Sequence, residues 1–246
     1  MKYVIGLFLA GLPLFKSLRV PVTPEYPVVI ELFTSQGCSS CPAADELLNK
    51  TIREAEEAGR PVLGLSFHVS YWNYLGWKDP YSSEDFTNRQ KNYADALGLG
   101  SIYTPQIIVN GESAFVGSDQ KALEAAITRG LQESRPYTIS AASSFQGHEA
   151  AIRYALNHEP NKDVLNIALV ESSVENLVPR GENRGKILKH YNVVRKLETR
   201  QVSKAGELRI SIPPEVKSIQ RTSWVLYIQN PTTLKILAAI QLHVTS

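Results

Sequence analysis

Glu31-Leu32-Phe33-Thr34-Ser35-Gln36-Gly37-Cys38-Ser39-Ser40-Cys41-Pro42 is the stretch on which the fold turns. It begins inside Val28 to Thr34, a nearly continuous β-branched and apolar run of the kind that forms a strand buried on both faces. It ends where Ala44, Leu47, Leu48, Ile52 and Ala55 begin to recur at helical spacing, until Gly59-Arg60-Pro61 stops the helix. Cys38 and Cys41, the only cysteines in the chain, therefore stand where a strand hands over to a helix. A thiol at that place faces unpaired backbone N–H groups and the positive end of the helix dipole, which stabilise its thiolate. Two intervening residues let the second sulfur reach the first, so an exchangeable disulfide can form. The first cysteine, normally the exposed one, attacks and the second resolves. The same spacing also suits an inert structural bridge, two ordinary buried thiols or half of a zinc site. Zinc needs four ligands, and here no second cysteine pair exists and the five histidines are scattered.

Working outward, strand and helix alternate from Pro27 to about Glu133. Val62 to His68 reads as a second buried strand, followed by the aromatic run Tyr71-Trp72-Asn73-Tyr74-Leu75-Gly76-Trp77. Ser82 or Ser83 can cap a helix carrying Phe86, Tyr93 and Leu97, stopped by Gly98. Gln106 to Val109 and Ser113 to Val116 form a hairpin around Asn110-Gly111. Ser118 is expected to open a last helix with Leu123, Ala126, Ile127 and Leu131 inward. After Arg135-Pro136 the period changes to two. Seven short strands over residues 137–246 have the size and rhythm of a β-sandwich domain.

A second signal lies at Thr104-Pro105, where a proline opens a strand and removes a ladder donor. The strand–C-x-x-C–helix unit, Thr-Pro before a strand, the Asn-Gly hairpin and the final helix together resemble the thioredoxin superfamily. Three stretches narrow this: Glu31 to Pro42, His68-Val69-Ser70-Tyr71-Trp72-Asn73, and Arg180-Gly181-Glu182-Asn183. They look like a secreted bacterial thioredoxin-like family known as domain of unknown function 1223. The resemblance implies Cys38 as nucleophile, Cys41 as resolving thiol and Pro105 as a cis-proline packed on the disulfide. It also implies that Thr104 offers backbone groups to a bound peptide. Three departures stand out: Gly37 replaces the tryptophan expected before the first cysteine, Ser39-Ser40 is an unfamiliar dipeptide, and about thirty residues, 70–100, are inserted before the proline.

The expected organisation is a leader at 1–20, a thioredoxin-like α/β domain at 26–135 with a helical and aromatic insertion, and an all-β sandwich-like domain at 137–246. Met1-Lys2 followed by the apolar run Tyr3 to Phe15 has the order and length of a signal peptide, or of an uncleaved membrane tether. No apolar run reaches the roughly 20 residues of a spanning helix. Net charge is +2, with 26 basic against 24 acidic residues and no dense basic cluster, so nucleic-acid binding has no support. Losing Lys2, Lys16 and Arg19 with the leader leaves −1.

Around the cysteines, Glu31 is the candidate buried acid for the Cys41 proton, although it is offset by one residue from the acid of thioredoxins. His68 is a candidate to tune Cys38. Trp72 and Trp77, with Tyr71 and Tyr74, are candidates for a substrate wall. Arg180, Glu182, Asn183 and Arg184 read as a solvated turn, and His190 and Arg195 as nothing more. The expected function is cofactor-free thiol–disulfide exchange with protein thiols of the bacterial envelope, in the periplasm or secreted, through a metal-free site. The alternatives are a redox-inactive binding module and a copper-handling thiol protein, the latter needing Cys38, Cys41 and His68 together.

Overall fold

A computed structural model describes residues 26–243, so the expected leader lies outside the described residues. The strands are β1 (Val28–Thr34), β2 (Val62–His68), β3 (Gln106–Val109), β4 (Ser113–Val116), β5 (Ile139–Gln146), β6 (Glu149–Leu156), β7 (Val164–Leu177), β8 (Ile187–Gln201), β9 (Ala205–Ser211), β10 (Thr222–Gln229) and β11 (Ile236–His243). The helices are α1 (Cys41–Glu57), α2 (Glu84–Leu97) and α3 (Gln120–Gln132). Asp119 caps α3, its Oδ1 accepting from Ala122 N–H at 3.0 Å, so the expected Ser118 start lies one residue early. Ser83 caps α2 through its hydroxyl, and Gly98 ends it in the left-handed region.

Eight strands form one sheet in the order β11-β10-β7-β8-β2-β1-β3-β4, and β5-β6-β9 form a second. Strands on either side of Pro136 join in one sheet through a short parallel contact of β8 with β2 at Ser66 and Val193. The sandwich expectation survives in part. One face of β7 and β10, bearing Leu165, Ile167, Leu169, Trp224, Leu226 and Ile228, packs on Ala150, Ile152, Tyr154 and Ile210 of the small sheet. The sandwich is thus built on the continuation of the α/β sheet. The physical reason is that β10 is buried along its whole length, so both its faces need cover. Its other face joins Val29, Phe33, Leu65, Phe67, Phe86 and Tyr93 in a core that crosses both halves. On the opposite face of β1, Val28, Ile30 and Leu32 pack against α1 and α3.

Candidate functional site

The pleat of β1 and the start of α1 bring the cysteines to the end of the sheet. Cys38 and Cys41 form a disulfide with Cα atoms 5.5 Å apart. Cys41 begins α1, and Ser39 and Ser40 between them are exposed. The sulfurs are covered: Cys38 is 1% exposed and Cys41 fully buried, against the expectation of an open first cysteine. Cys38 Sγ lies 3.3 Å from Ser40 Oγ and 3.8 Å from the Thr104 carbonyl oxygen. The Thr104–Pro105 peptide is cis. Pro105 needs a glycine beside it, because a Cβ at Gly117 would come within 2.9 Å of Pro105 Cβ and 3.0 Å of Ala44 Cβ.

Trp72 stands at the rim of this arrangement. Its indole N–H donates to Thr104 Oγ1 at 2.8 Å, and its ring stacks on the exposed Tyr74 at 6.4 Å. Gly37 follows from it, since a Cβ there would meet Trp72 Cβ at 3.1 Å. The segment between β2 and β3 thus places a tryptophan where a larger residue at 37 would have to sit. Trp77 is half-buried and shares none of these contacts.

The loop between β7 and β8, read as a solvated turn, lies on the Cys38 segment instead. Asn183 Nδ2 donates to the carbonyls of Gln36 (3.0 Å) and Cys38 (2.8 Å), and Glu182 N–H donates to Gly37 O at 3.3 Å. Glu182 Oε2 accepts from both Ser39 N–H (2.8 Å) and Ser39 Oγ (2.7 Å). Those two Ser39 donors, side chain first, hold the Glu182 carboxyl below the usual range. The Arg180–Asn183 stretch carries the family resemblance, but nothing in its composition points to Ser39 or Cys38.

Beneath the disulfide lies a buried polar cluster. Asp45, one turn after Cys41 on α1, accepts from Thr34 Oγ1 at 2.9 Å and lies 3.3 Å from His190 Nδ1. His68 Nδ1 lies 2.8 Å from Asp79, which also accepts from Gln36 N–H and Tyr81 N–H. The two imidazoles meet edge to face at 4.7 Å. Burial by itself lowers the His68 pKa, but Asp79, with Asp45 behind it, outweighs that and leaves it raised. For Asp79 burial works upward, but His68 and the two backbone donors outweigh it and leave the carboxyl lowered. His68 therefore pairs with Asp79 and makes no hydrogen bond to Cys38 among the described residues. Sequence reading missed Asp45 and Asp79. The spacing of four from Cys41 to Asp45 was the available signal.

Glu31 corrects an expectation. It is buried on the face of β1 opposite α1, accepting from Arg89 Nε at 2.8 Å, Arg89 Nη2 at 2.7 Å and Tyr93 Oη at 3.1 Å. A one-residue offset in a strand turns a side chain to the other face, so Glu31 points away from Cys41. Among the described residues no three His, Cys, Asp or Glu side chains are set to hold a metal ion. Cys38, Cys41 and His68 are accordingly not gathered as the copper reading needs.

A covered disulfide at a helix start, a cis-proline beside it and a central β-sheet flanked by helices define a thioredoxin-like protein. The chain belongs to the family described as protein of unknown function (DUF1223), whose model matches residues 29–229. Thioredoxin from Methanocaldococcus jannaschii is 32% identical over 105 residues, which is 42% of this chain and 96% of that protein. The crystal structure of protein AGR_C_4864 from Agrobacterium tumefaciens is 31% identical, covers 89% of this chain and 95% of that one, and superposes with a TM-score of 0.66. HBP35 of Porphyromonas gingivalis shares the fold at 16% identity and a TM-score of 0.62, over 89% of this chain and 76% of that one. Among the described residues no helix is long and apolar enough to cross a membrane.

Proposed function

We propose that this protein exchanges thiols and disulfides with protein partners in the bacterial cell envelope, through Cys38 and Cys41 and without a cofactor. The observation that carries the reading is the Cys38–Cys41 disulfide at the start of α1, with Cys38 Sγ 3.8 Å from the carbonyl of the cis Thr104–Pro105 pair. In the exchange, the Cys38 thiolate attacks a partner sulfur. Cys41 then attacks Cys38 Sγ and releases the partner. Thr104 and Pro105 border the groove in which an extended partner segment lies beside the disulfide. The leader read from the sequence, Met1 to about residue 20, supports export, and an uncleaved leader would tether the protein.

The near-complete burial of Cys38 favours a second reading, a redox-inactive module that binds a partner. Turnover of insulin or scrambled ribonuclease, with and without added copper, separates the readings. Exchange lost in Cys38→Ser supports the first. A disulfide inert to excess dithiothreitol overturns it, and activity dependent on copper revives the metal reading.

A further inference from the structure

The start of α1 carries no anion of its own. Ser40, its N-cap residue, makes no side-chain cap bond, and no acidic residue lies in the first turn. In α2, by contrast, the Ser83 hydroxyl caps the helix and Glu84 and Asp85 fill the first turn. An anion from across the molecule stands one residue before the cap. Glu182 Oε2 accepts both the N–H and the hydroxyl of Ser39, the residue after Cys38, and no cation holds this carboxylate among the described residues. A reduced Cys38 would present a second negative charge to the same helix end. Two like charges so close oppose one another, and the N–H of the residue after Cys38 is already bonded to the carboxylate.

We propose that Glu182 is a positioning residue that sets the redox balance: by fixing a carboxylate on Ser39, between Cys38 and the cap of α1, it opposes a Cys38 thiolate, disfavours the reduced pair and makes the protein an electron donor to its partners. This rests on the exchange reading above and adds a direction to it. As donor, the Cys38 thiolate attacks a partner disulfide, and the displaced partner sulfur leaves with the electron pair and takes a proton from water. Cys41 loses its proton to water and attacks Cys38 Sγ, releasing the second partner sulfur, which is protonated in turn. The partner gains two electrons and two protons, and the Cys38–Cys41 disulfide is left to be reduced again by a dithiol protein of lower potential.

Of the other charges in and near the loop, Arg184 is exposed and makes no ion pair with Glu182 among the described residues. Lys186 is bonded to Asn183 Oδ1 at 3.0 Å, and Arg180 lies against Gly76. Asp79, which accepts from Gln36 N–H, is paired with His68, and Asp45 Oδ1 lies 3.3 Å from His190 Nδ1 with no hydrogen bond between them. Glu182 is the charge left facing Ser39.

Glu182→Gln tests this, because its amide oxygen can still accept from Ser39 while the charge is gone. Two readouts are taken: the Cys38 thiol titration in the Cys41→Ser chain, followed by iodoacetamide alkylation against pH, and the equilibrium of the intact pair with glutathione. Removal of the charge should lower the Cys38 pKa and shift the equilibrium toward the dithiol by about two- to fivefold. The difference should shrink in 1 M salt, on the order of a 3 Å screening length. Glu182→Ala should move both readouts the same way. Unchanged or opposite shifts overturn the proposal. A wild-type disulfide that excess dithiothreitol never reduces sinks the exchange reading alone, since the Cys38 titration still decides the part played by Glu182.

Discussion

Two buried polar clusters flank the sheet on opposite faces, and they are built differently. On the α2 face, both oxygens of Glu31 are met by Arg89, whose guanidinium also lies over Tyr93 at 5.0 Å and over Phe67 and Tyr227 at 5.6 Å each. Gln229 of β10 donates to Tyr93 Oη at 2.8 Å, so this cluster fastens the C-terminal strands to the N-terminal half. On the α1 face, below the disulfide, Asp45 Oδ1, His68 Nε2 and both ring nitrogens of His190 have no hydrogen-bond partner. An unmet buried polar atom costs about 1–3 kcal/mol. The comparison teaches that the closed cluster is a fastening, whereas the open one, a turn from Cys41, keeps hydrogen-bonding capacity that the fold does not use.

The largest expected effect breaks the closed cluster. Arg89→Ala leaves Glu31 buried and unpaired, and should lower unfolding stability by about 3–5 kcal/mol in urea titration. Replacing both partners together, Glu31→Leu with Arg89→Met, should recover most of that. A single-variant loss below about 1 kcal/mol would mean that Glu31 is not fastened as described.

Next comes Asp79→Ala, which strips His68, Gln36 N–H and Tyr81 N–H of their acceptor. It should cost about 2–4 kcal/mol and let burial bring the His68 pKa down, a change read by NMR titration. The pH dependence follows from the two directions. The raised His68 contributes stability that is complete below its unfolded value of 6.5 and lost as pH climbs through the folded value. The lowered Asp79 contributes stability present above 3.8 and lost as pH falls through its folded value. The pair is therefore worth most at mildly acidic pH, and Asp79→Ala should flatten both flanks of the profile.

Trp72→Phe loses the hydrogen bond to Thr104 Oγ1 and should cost about 1 kcal/mol. Reduction of the disulfide by a small thiol should become faster as the rim loosens. An unchanged rate would place Trp72 outside the cover of Cys38. The smallest effect should come from His190→Gln, which has no ring hydrogen bond to lose and keeps a polar group beside Asp45. A loss under about 1 kcal/mol is expected. A loss as large as that of Arg89→Ala would show the second cluster to be as closed as the first.

Glu31 shows how far the sequence reached. Its burial and its strand were legible, but its partner lies 58 residues away on α2 and its face depends on a single step of register. Asp45 was within reach by helical spacing. Glu182 was not, because a polar loop 143 residues from Ser39 reads as a solvated turn until the sheet folds it onto the disulfide.

What the sequence determined by itself is local. The limits of β1 and β2, the cysteines at a helix start, the Thr-Pro strand opening and the Asn110-Gly111 turn all follow from side-chain period, turn chemistry and backbone freedom within a dozen residues. Only the tertiary structure decided that β7, β8, β10 and β11 extend the α/β sheet, that Glu31 pairs with Arg89, and that the β7–β8 loop caps the Cys38 segment. These outcomes depend on which of several apolar strand faces finds cover and which buried charge finds a partner. Those choices are made between segments far apart in the chain, where no local period carries the information.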